Sequence, residues 1–290
     1  MKRGSLFFIL YLFVALSLVA QVSNLKVMTF NIRYNNPADS NYSWDHRKEM
    51  VAEVIKSYKP DLAGIQEALK DQVKDLQNLL KDYSWFGVGR DNGKDSGEYA
   101  VIFYRKDRIE KLTGSTFWLS ETPDVPGSRS WNAACNRIVT WIKFTDKPSG
   151  VQMYLFNTHF DHISEQAREN SAQLLLTRIS QISANAPVIV TGDLNSTETG
   201  RTYDILTNSE SAGYLKDTRK FNLKIPPEPS FSYIGFPYHP QQGNLIDFIF
   251  LKNDKDLKVK KYQIITDNKK GFYPSDHLPV MVEIGVLSIN

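Results

Sequence analysis

The chain has 290 residues, 41% of them hydrophobic and 23% charged, a globular composition that excludes disorder, collagen-like repeats and low complexity. Its formal net charge of +3 is too small for the basic footprint of a dedicated duplex-binding protein, although a local groove would suffice for nucleic acid as a substrate. A single cysteine, Cys135, rules out an internal disulfide and reads as a small buried hydrophobe, so the fold must stand on its core.

In chain order, residues 1–21 (MKRGSLFFILYLFVALSLVAQ) come first. They have a basic start, an apolar stretch from Leu6 to Ala20, and small residues at Ser17 and Ala20. This is the anatomy of a secretory signal peptide, and the run is short for a stable membrane span. Lys2 and Arg3 would leave with it, bringing the net charge to near +1. The expectation is one domain over 22–290, secreted or periplasmic, monomeric, and without a membrane span after cleavage.

Leu25–Ile32 reads as a strand from its β-branched and apolar content. Trp44–Tyr58 reads as a helix, with Met50, Val51, Val54, Ile55 and Tyr58 at helical spacing and Lys59-Pro60 as its stop. A short strand over Leu62–Gln66 ends at Glu67, and Leu69–Lys81 forms a second helix. Strands are then predicted over 84–90, 99–105, 137–144 and 151–158. A long helix follows from Ser164 to about Ala184, then a strand over 188–193. Residues 207–242 read as irregular and aromatic-rich. Strands over 245–251, 257–265 and 279–284 close the chain. Strands outnumber helices and mostly follow one another, which points to two sheets packed face to face with helices outside.

Functional side chains recur where apolar runs end. Asn31 ends VMTFN, Glu67 ends LAGIQE, and His159 and Asp161 end MYLFNTHFD. Asp193 and Asn195 end VIVTGDLN, Asp247 interrupts LIDFIF, and Asp276 and His277 precede LPVMV. Strand alternation puts Asp193 and Asn195 on one side, although Asp and Asn are also ordinary turn residues. Asp247 is costly to bury unless paired, and His277 is an available partner. If these strands share a sheet pair, the groups converge on one rim.

The stretches TFNIR, GIQEA, NTHFDH, TGDLNS, LIDFIFL and SDHLPV resemble, in order and over nearly the whole mature chain, the endonuclease/exonuclease/phosphatase (DNase I-like) superfamily. The resemblance implies an α/β (α+β) four-layer α/β/β/α sandwich, two mainly antiparallel sheets packed face to face with outer helices. It also implies metal-dependent hydrolysis of a phosphate ester. Such an ester is anionic and repels nucleophiles, so its hydrolysis needs a cation, an oriented water and charge stabilisation. Hard oxygen ligands suit Mg²⁺ or Mn²⁺, and the scarcity of His and thiols argues against zinc.

By the resemblance, Glu67 is the principal metal ligand, Asn31 beside it contacts metal or phosphate, and Asp276 lies near the metal. Asp193 orients or deprotonates the attacking water, and Asn195 holds the phosphate or the nucleophile. His277 lies against the phosphate with Asp247 fixing its tautomer, and His159 donates to a non-bridging oxygen. Asp161, Tyr99 and Arg137 are candidate substrate contacts. The expected substrate is a phosphate ester in a nucleic acid, nucleotide or phospholipid, a nuclease reading narrowly ahead of a sphingomyelinase- or inositol-phosphate-phosphatase-like one. A non-catalytic relative or a lectin-like binding module would be the alternative. The segment 207–242, with Phe231, Tyr233, Phe236 and Tyr238, is a candidate substrate wall.

Overall fold

The computed structural model describes residues 22–211, 213–221, 229–238 and 243–287. The leader read at 1–21 and parts of the segment read at 207–242 lie outside the described residues. The elements run β1 (Val22–Asn31), α1 (Trp44–Tyr58), β2 (Leu62–Ala68), α2 (Lys70–Leu79), β3 (Tyr83–Phe86), β4 (Tyr99–Arg105), β5 (Ile109–Trp118) and β6 (Ile138–Asp146). They continue with β7 (Gln152–His159), α3 (Glu165–Ser183), β8 (Val188–Asp193), α4 (Arg201–Thr207), β9 (Lys216–Asp217), β10 (Asp247–Lys252), β11 (Leu257–Ile264) and β12 (Val280–Leu287).

The caps follow from local chemistry. Lys59 takes the left-handed conformation that ends α1 before Pro60. The Ser164 hydroxyl accepts the Ala167 N–H and starts α3.

The strands form two six-stranded sheets, ordered β11-β12-β1-β2-β4-β3 and β5-β6-β7-β8-β10-β9. Each sheet has one parallel pair at its centre, β1 with β2 and β7 with β8, and the remaining pairings are antiparallel. A parallel pair needs a crossover, supplied by α1 in one sheet and α3 in the other. The two sheets therefore repeat one arrangement, and the C-terminal ends of all four central strands reach one rim.

Period-two alternation decides which sheet face meets which layer. In the first sheet Leu25, Val27, Leu62 and Ile102 face the second sheet, while Met28, Phe30, Ile65 and Phe103 face α1 and α2. The outer face of the second sheet packs on Leu175, Ile179 and Leu206 of α3 and α4. This is the expected four-layer sandwich.

Just below the rim the apolar interlayer gives way to a polar one. Gln66 Nε2 donates to Asn157 Oδ1 at 2.6 Å and to Thr29 Oγ1 at 3.0 Å. Asn157 Nδ2 donates to the Ile65 and Val101 carbonyls, both at 3.0 Å. These buried hydrogen bonds fix one register between the sheets, with Gln66 Oε1 alone of the two amides' polar atoms left without a partner among the described residues. Gly64 makes the approach possible, since a Cβ there would lie 2.2 Å from Thr191 Oγ1 and 2.5 Å from Asn157 Oδ1.

Four elements differ from the sequence reading, one of them the short β9 inside the stretch read as irregular. β5 was not expected: it pairs only with β6, at the sheet edge, and its mostly exposed surface leaves no clean alternation. β3 stops at Phe86 instead of running to Arg90, because Gly87 at φ 155 breaks it. α4 occupies a stretch that carried no helical assignment. No helix among the described residues is long and apolar enough to cross a membrane.

Candidate active site

The rim receives its polar groups from strand ends. Asn31 closes β1 opposite Gln66, and His159 closes β7 opposite Asp193 at the end of β8. Asp247 opens β10, antiparallel to β8, directly across from the same Asp193. Glu67 sits where β2 shifts register against β4, in the left-handed conformation at φ 64. Asn195 follows β8 at φ 47. A side chain costs about 1–3 kcal/mol in such a conformation, and here it turns both groups off their strands into the cleft.

Asp193 is held from two sides. Asn31 Nδ2 donates to its Oδ2 at 2.9 Å, and the Asn195 backbone N–H donates to its Oδ1 at 2.9 Å. The same Asn31 amide donates to Glu67 Oε1 at 3.0 Å, while the Tyr34 N–H donates to Glu67 Oε2 at 3.1 Å. His277 Nε2 and His159 Nε2 stand 3.7 and 3.5 Å from Asp193 Oδ2. Behind His277, its Nδ1 meets Asp247 Oδ2 at 2.8 Å, and the Ser232 hydroxyl donates to that oxygen at 2.6 Å.

Asp193, Asp247 and His277 are all buried, and the charges there do not balance freely. Burial and the neighbouring Asp247 push the Asp193 carboxyl up to about 7. Burial alone would lower His277, but the attraction and hydrogen bond of Asp247, with Asp193 and Asp276, push it up to about 10. Burial also raises Glu67, yet the His277 charge, the Asn31 amide and the Tyr34 N–H outweigh it and leave Glu67 below its ordinary value. Burial and Glu67 raise Asp276 against the pull of His277. Burial, with Arg137 and Arg90 nearby, keeps His159 well below its ordinary value and therefore neutral. Asn195 Nδ2 lies 2.9 Å from His159 Nε2 and donates to it, so the ring proton sits on Nδ1.

These groups open into a cleft of about 460 Å³ lined by Glu67, His159, Asp193, Asn195, Asp276 and His277. The ligand atoms of Asp193, Asp247 and His277 lie within 4.8 Å of one another, a buried group that could hold a cation. Glu67 and Asp276 add hard oxygens to the same cleft, and the mutual repulsion of these carboxylates suits a divalent ion. Cys135, Asp161 and His162 form a second such group. There, however, the Asp161 oxygens already accept the N–H groups of Ala134, Ile163 and Ser164.

The structure brings together Asn31, Glu67, His159, Asp193, Asn195, Asp247, Asp276 and His277. Arg137 lines the same cleft. Tyr99 does not: it is buried, stacks edge-on with Trp85, and its hydroxyl donates to the Lys94 carbonyl at 3.2 Å. Asp161 is buried as a bracket for the start of α3. Of the candidate wall aromatics only Tyr233 lines the cleft, its ring 5.0 Å from that of His277. Phe236 and Tyr238 pack with Tyr42 instead, and Phe231 packs on the core. Cys135 is half-buried at the cleft and not in the core.

Sequence reasoning missed Glu98, Arg90, Ser232 and Arg47. Glu98 carried a readable signal, an acid placed directly before the apolar run YAVIFY. Arg47 carried none. It is fully buried and donates to the carbonyls of Tyr42 at 2.6 Å, Ile32 at 2.7 Å and Pro274 at 2.9 Å, tying the segment after Asn31 to the segment before Asp276.

The model of the endonuclease/exonuclease/phosphatase family matches residues 28–277. The chain belongs to this family. An endonuclease/exonuclease/phosphatase family structure from Bacteroides vulgatus is 39% identical, covers 91% of this chain and 99% of its own, and superposes with a TM-score of 0.84. A Bacteroides thetaiotaomicron mannosyl-6-phosphatase is 35% identical, with 90% and 99% covered and a TM-score of 0.80. Nocturnin of Drosophila melanogaster is 22% identical over 84% of this chain, which spans 42% of that longer protein. The family is one of phosphoric ester hydrolases, and this family member carries the buried Asp/Asp/His group at the rim described above.

Proposed function

We propose that the chain is a divalent-metal-dependent phosphoesterase that cleaves its ester by attack of water. The observation that carries this is Asp193: a carboxylate poised at about 7, fixed by two amide donors beside a buried imidazolium. A general base works best with a pKa near the working pH, and the two donors hold the carboxylate in place for that role. His277 keeps its proton because Asp247 holds Nδ1, so Nε2–H presents positive charge to a phosphoryl oxygen. Asn31 and Asn195 fix the base, and neutral His159 accepts from Asn195 and so orients it.

Glu67 and Asp276 are the ligands that fit Mg²⁺ or Mn²⁺, because an imidazole protonated against Asp247 is no metal ligand. When bound, the cation would supply charge neutralisation on the phosphoryl oxygens.

A second, narrower reading is a phosphomonoesterase acting on a phosphorylated sugar. It is favoured by the 35% identical relative described as a mannosyl-6-phosphatase. Export of the mature chain is part of the proposal and rests on the composition of residues 1–21; sequencing the N-terminus of secreted protein would test it.

The deciding assay measures hydrolysis of p-nitrophenyl phosphate, bis-p-nitrophenyl phosphate, mannose 6-phosphate, DNA, RNA and sphingomyelin with Mg²⁺ or EDTA. EDTA-sensitive turnover of any one upholds the phosphoesterase, and the substrate turned over chooses between monoester and diester. Turnover that survives EDTA would remove the metal from the reading.

A further inference from the structure

The cleft has two flanks, related by the repeated strand order. On one, the starts of β10 and β12 bring Asp247, Asp276 and His277. On the other, the corresponding starts of β4 and β6 bring Glu98 and Arg137. The reaction proposed above uses the first flank and the shared middle, and leaves the second without a task.

That second flank is built yet unsatisfied. The Arg137 side chain is 4% exposed; its Nη2 meets His162 Nδ1 at 2.9 Å and its Nε lies 3.7 Å from Asp161 Oδ2. Neither its Nε nor its Nη1 has a hydrogen-bond partner among the described residues. Arg90 Nη1 donates to Glu98 Oε2 at 2.6 Å, while its buried Nε has no partner there either. His159 Nδ1, which carries the ring proton, stands 3.9 Å from Glu98 Oε2 and is also unpartnered. Four buried donors on three cleft-lining residues thus stand without partners among the described residues on the flank that carries Glu98. A buried donor left unpaired costs about 1–3 kcal/mol, so a cluster of them points to a ligand that supplies acceptors.

We propose that this flank is a subsite for the alcohol portion of the substrate, and that this alcohol is an uncharged polyol: a sugar bearing the phosphate. The proposal rests on the phosphoesterase reading and names its substrate class. Vicinal hydroxyls accept from Arg137, Arg90 and His159 and donate to Glu98, which a purely accepting group cannot do. The flank's charges are already matched, Arg90 with Glu98 and Arg137 with Asp161, so a second anion would meet Glu98, Glu67 and Asp193 without a free countercharge. The cleft's tyrosine rings, Tyr34 and Tyr233, come from the segments after β1 and before β10, so this flank offers a nucleobase no Phe, Tyr or Trp face among the described residues. The reach is right as well. His159 alone separates the flank from the base, 3.9 Å to Glu98 and 3.5 Å to Asp193, so the hydroxyls it meets belong to the ring carrying the phosphate.

The test is the ratio of kcat/KM for mannose 6-phosphate to that for p-nitrophenyl phosphate, whose leaving group has no second hydroxyl, in the full mature chain with Mg²⁺. Arg137→Gln and Glu98→Gln should each lower this ratio about 10- to 100-fold. A purely structural role would lower both substrates together and leave the ratio unmoved, which would overturn the proposal. Deoxy analogues of the hexose phosphate make the same test on the unaltered protein: loss of the preference supports the subsite, and indifference refutes it. Preference for an ester with a second phosphate over the hexose phosphate would also refute it. If no ester is turned over, the phosphoesterase reading falls. Calorimetric affinities for the same two ligands then decide the subsite separately, a hexose preference abolished by Arg137→Gln upholding it and equal affinities overturning it.

Discussion

Asp247 sits 1% exposed in an apolar strand, where a carboxylate without a partner would cost several kcal/mol. Its partners are the His277 ring and the Ser232 hydroxyl, and together they hold a charged imidazole beside Asp193. Asp247→Asn is therefore expected to lower stability by about 3–5 kcal/mol, the cost of leaving half of a buried pair. It should also change the pH dependence. The folded value of His277 is raised from 6.5 to about 10, so between those values the folded chain holds a proton that the unfolded chain has released. The stabilisation is full below pH 6.5 and is lost as the pH rises through about 10. In EDTA-treated protein, denaturant unfolding should show wild-type stability falling over this window more steeply than that of Asp247→Asn; parallel slopes would refute the pairing as the source. Removing the charged donor itself, in His277→Gln, should cost about 100- to 1,000-fold in kcat, read in the turnover assay.

At the scale of elements, the site depends on how closely two sheets approach, and Gly64 sets that distance. Gly64→Ala would drive a methyl group into Thr191 and Asn157, overpacking that costs about 1–3 kcal/mol or more. Because Asn157 and Gln66 lie directly below Glu67, kcat should fall along with the melting temperature; a variant of normal stability and activity would show that the sheets accommodate it. The α1 residue Arg47 makes a similar case, since Arg47→Met would take the donor from four carbonyls at once, two of them in buried hydrogen bonds. The sequence was legible wherever one element contained the whole signal. Strands ending in Asn31, Asp193 or His159 announce themselves by an apolar run followed by a functional group, and the stop of α1 is written in Lys59-Pro60. It was not legible where the meaning lies between elements. Arg47 serves carbonyls 5, 15 and 227 residues away, and β5 is a polar edge strand whose pairing with β6 replaces internal alternation. Tyr99 shows the opposite failure: a plausible residue type at a strand start whose side chain turns into the structure and away from the cleft.

Across the whole molecule, the near-neutral chain conceals a concentrated charge. Glu67, Glu98, Asp193 and Asp276 line one cleft with Asp247 behind them, and their effects on one another run in one direction. Glu67 raises Glu98, which burial and this neighbour push up to about 7, and it raises Asp276 as well. A fold that keeps these carboxylates together gives up stability at neutral pH that a cation would restore. Any ion binding only the folded state stabilises it by mass action, about 2.7 kcal/mol at a hundred times the dissociation constant. For a chain of this size that corresponds to a rise of roughly 5 °C in melting temperature. Mg²⁺ or Mn²⁺ should produce this rise and EDTA should reverse it, with no substrate present. Glu67→Gln should abolish the rise, because it removes the hard oxygen least inclined to protonate. Asp247→Asn should retain it, because that carboxylate is committed to His277. The reverse pattern, loss with Asp247→Asn and retention with Glu67→Gln, would move the ion to the Asp193–Asp247–His277 group and would require His277 to be neutral in the working protein.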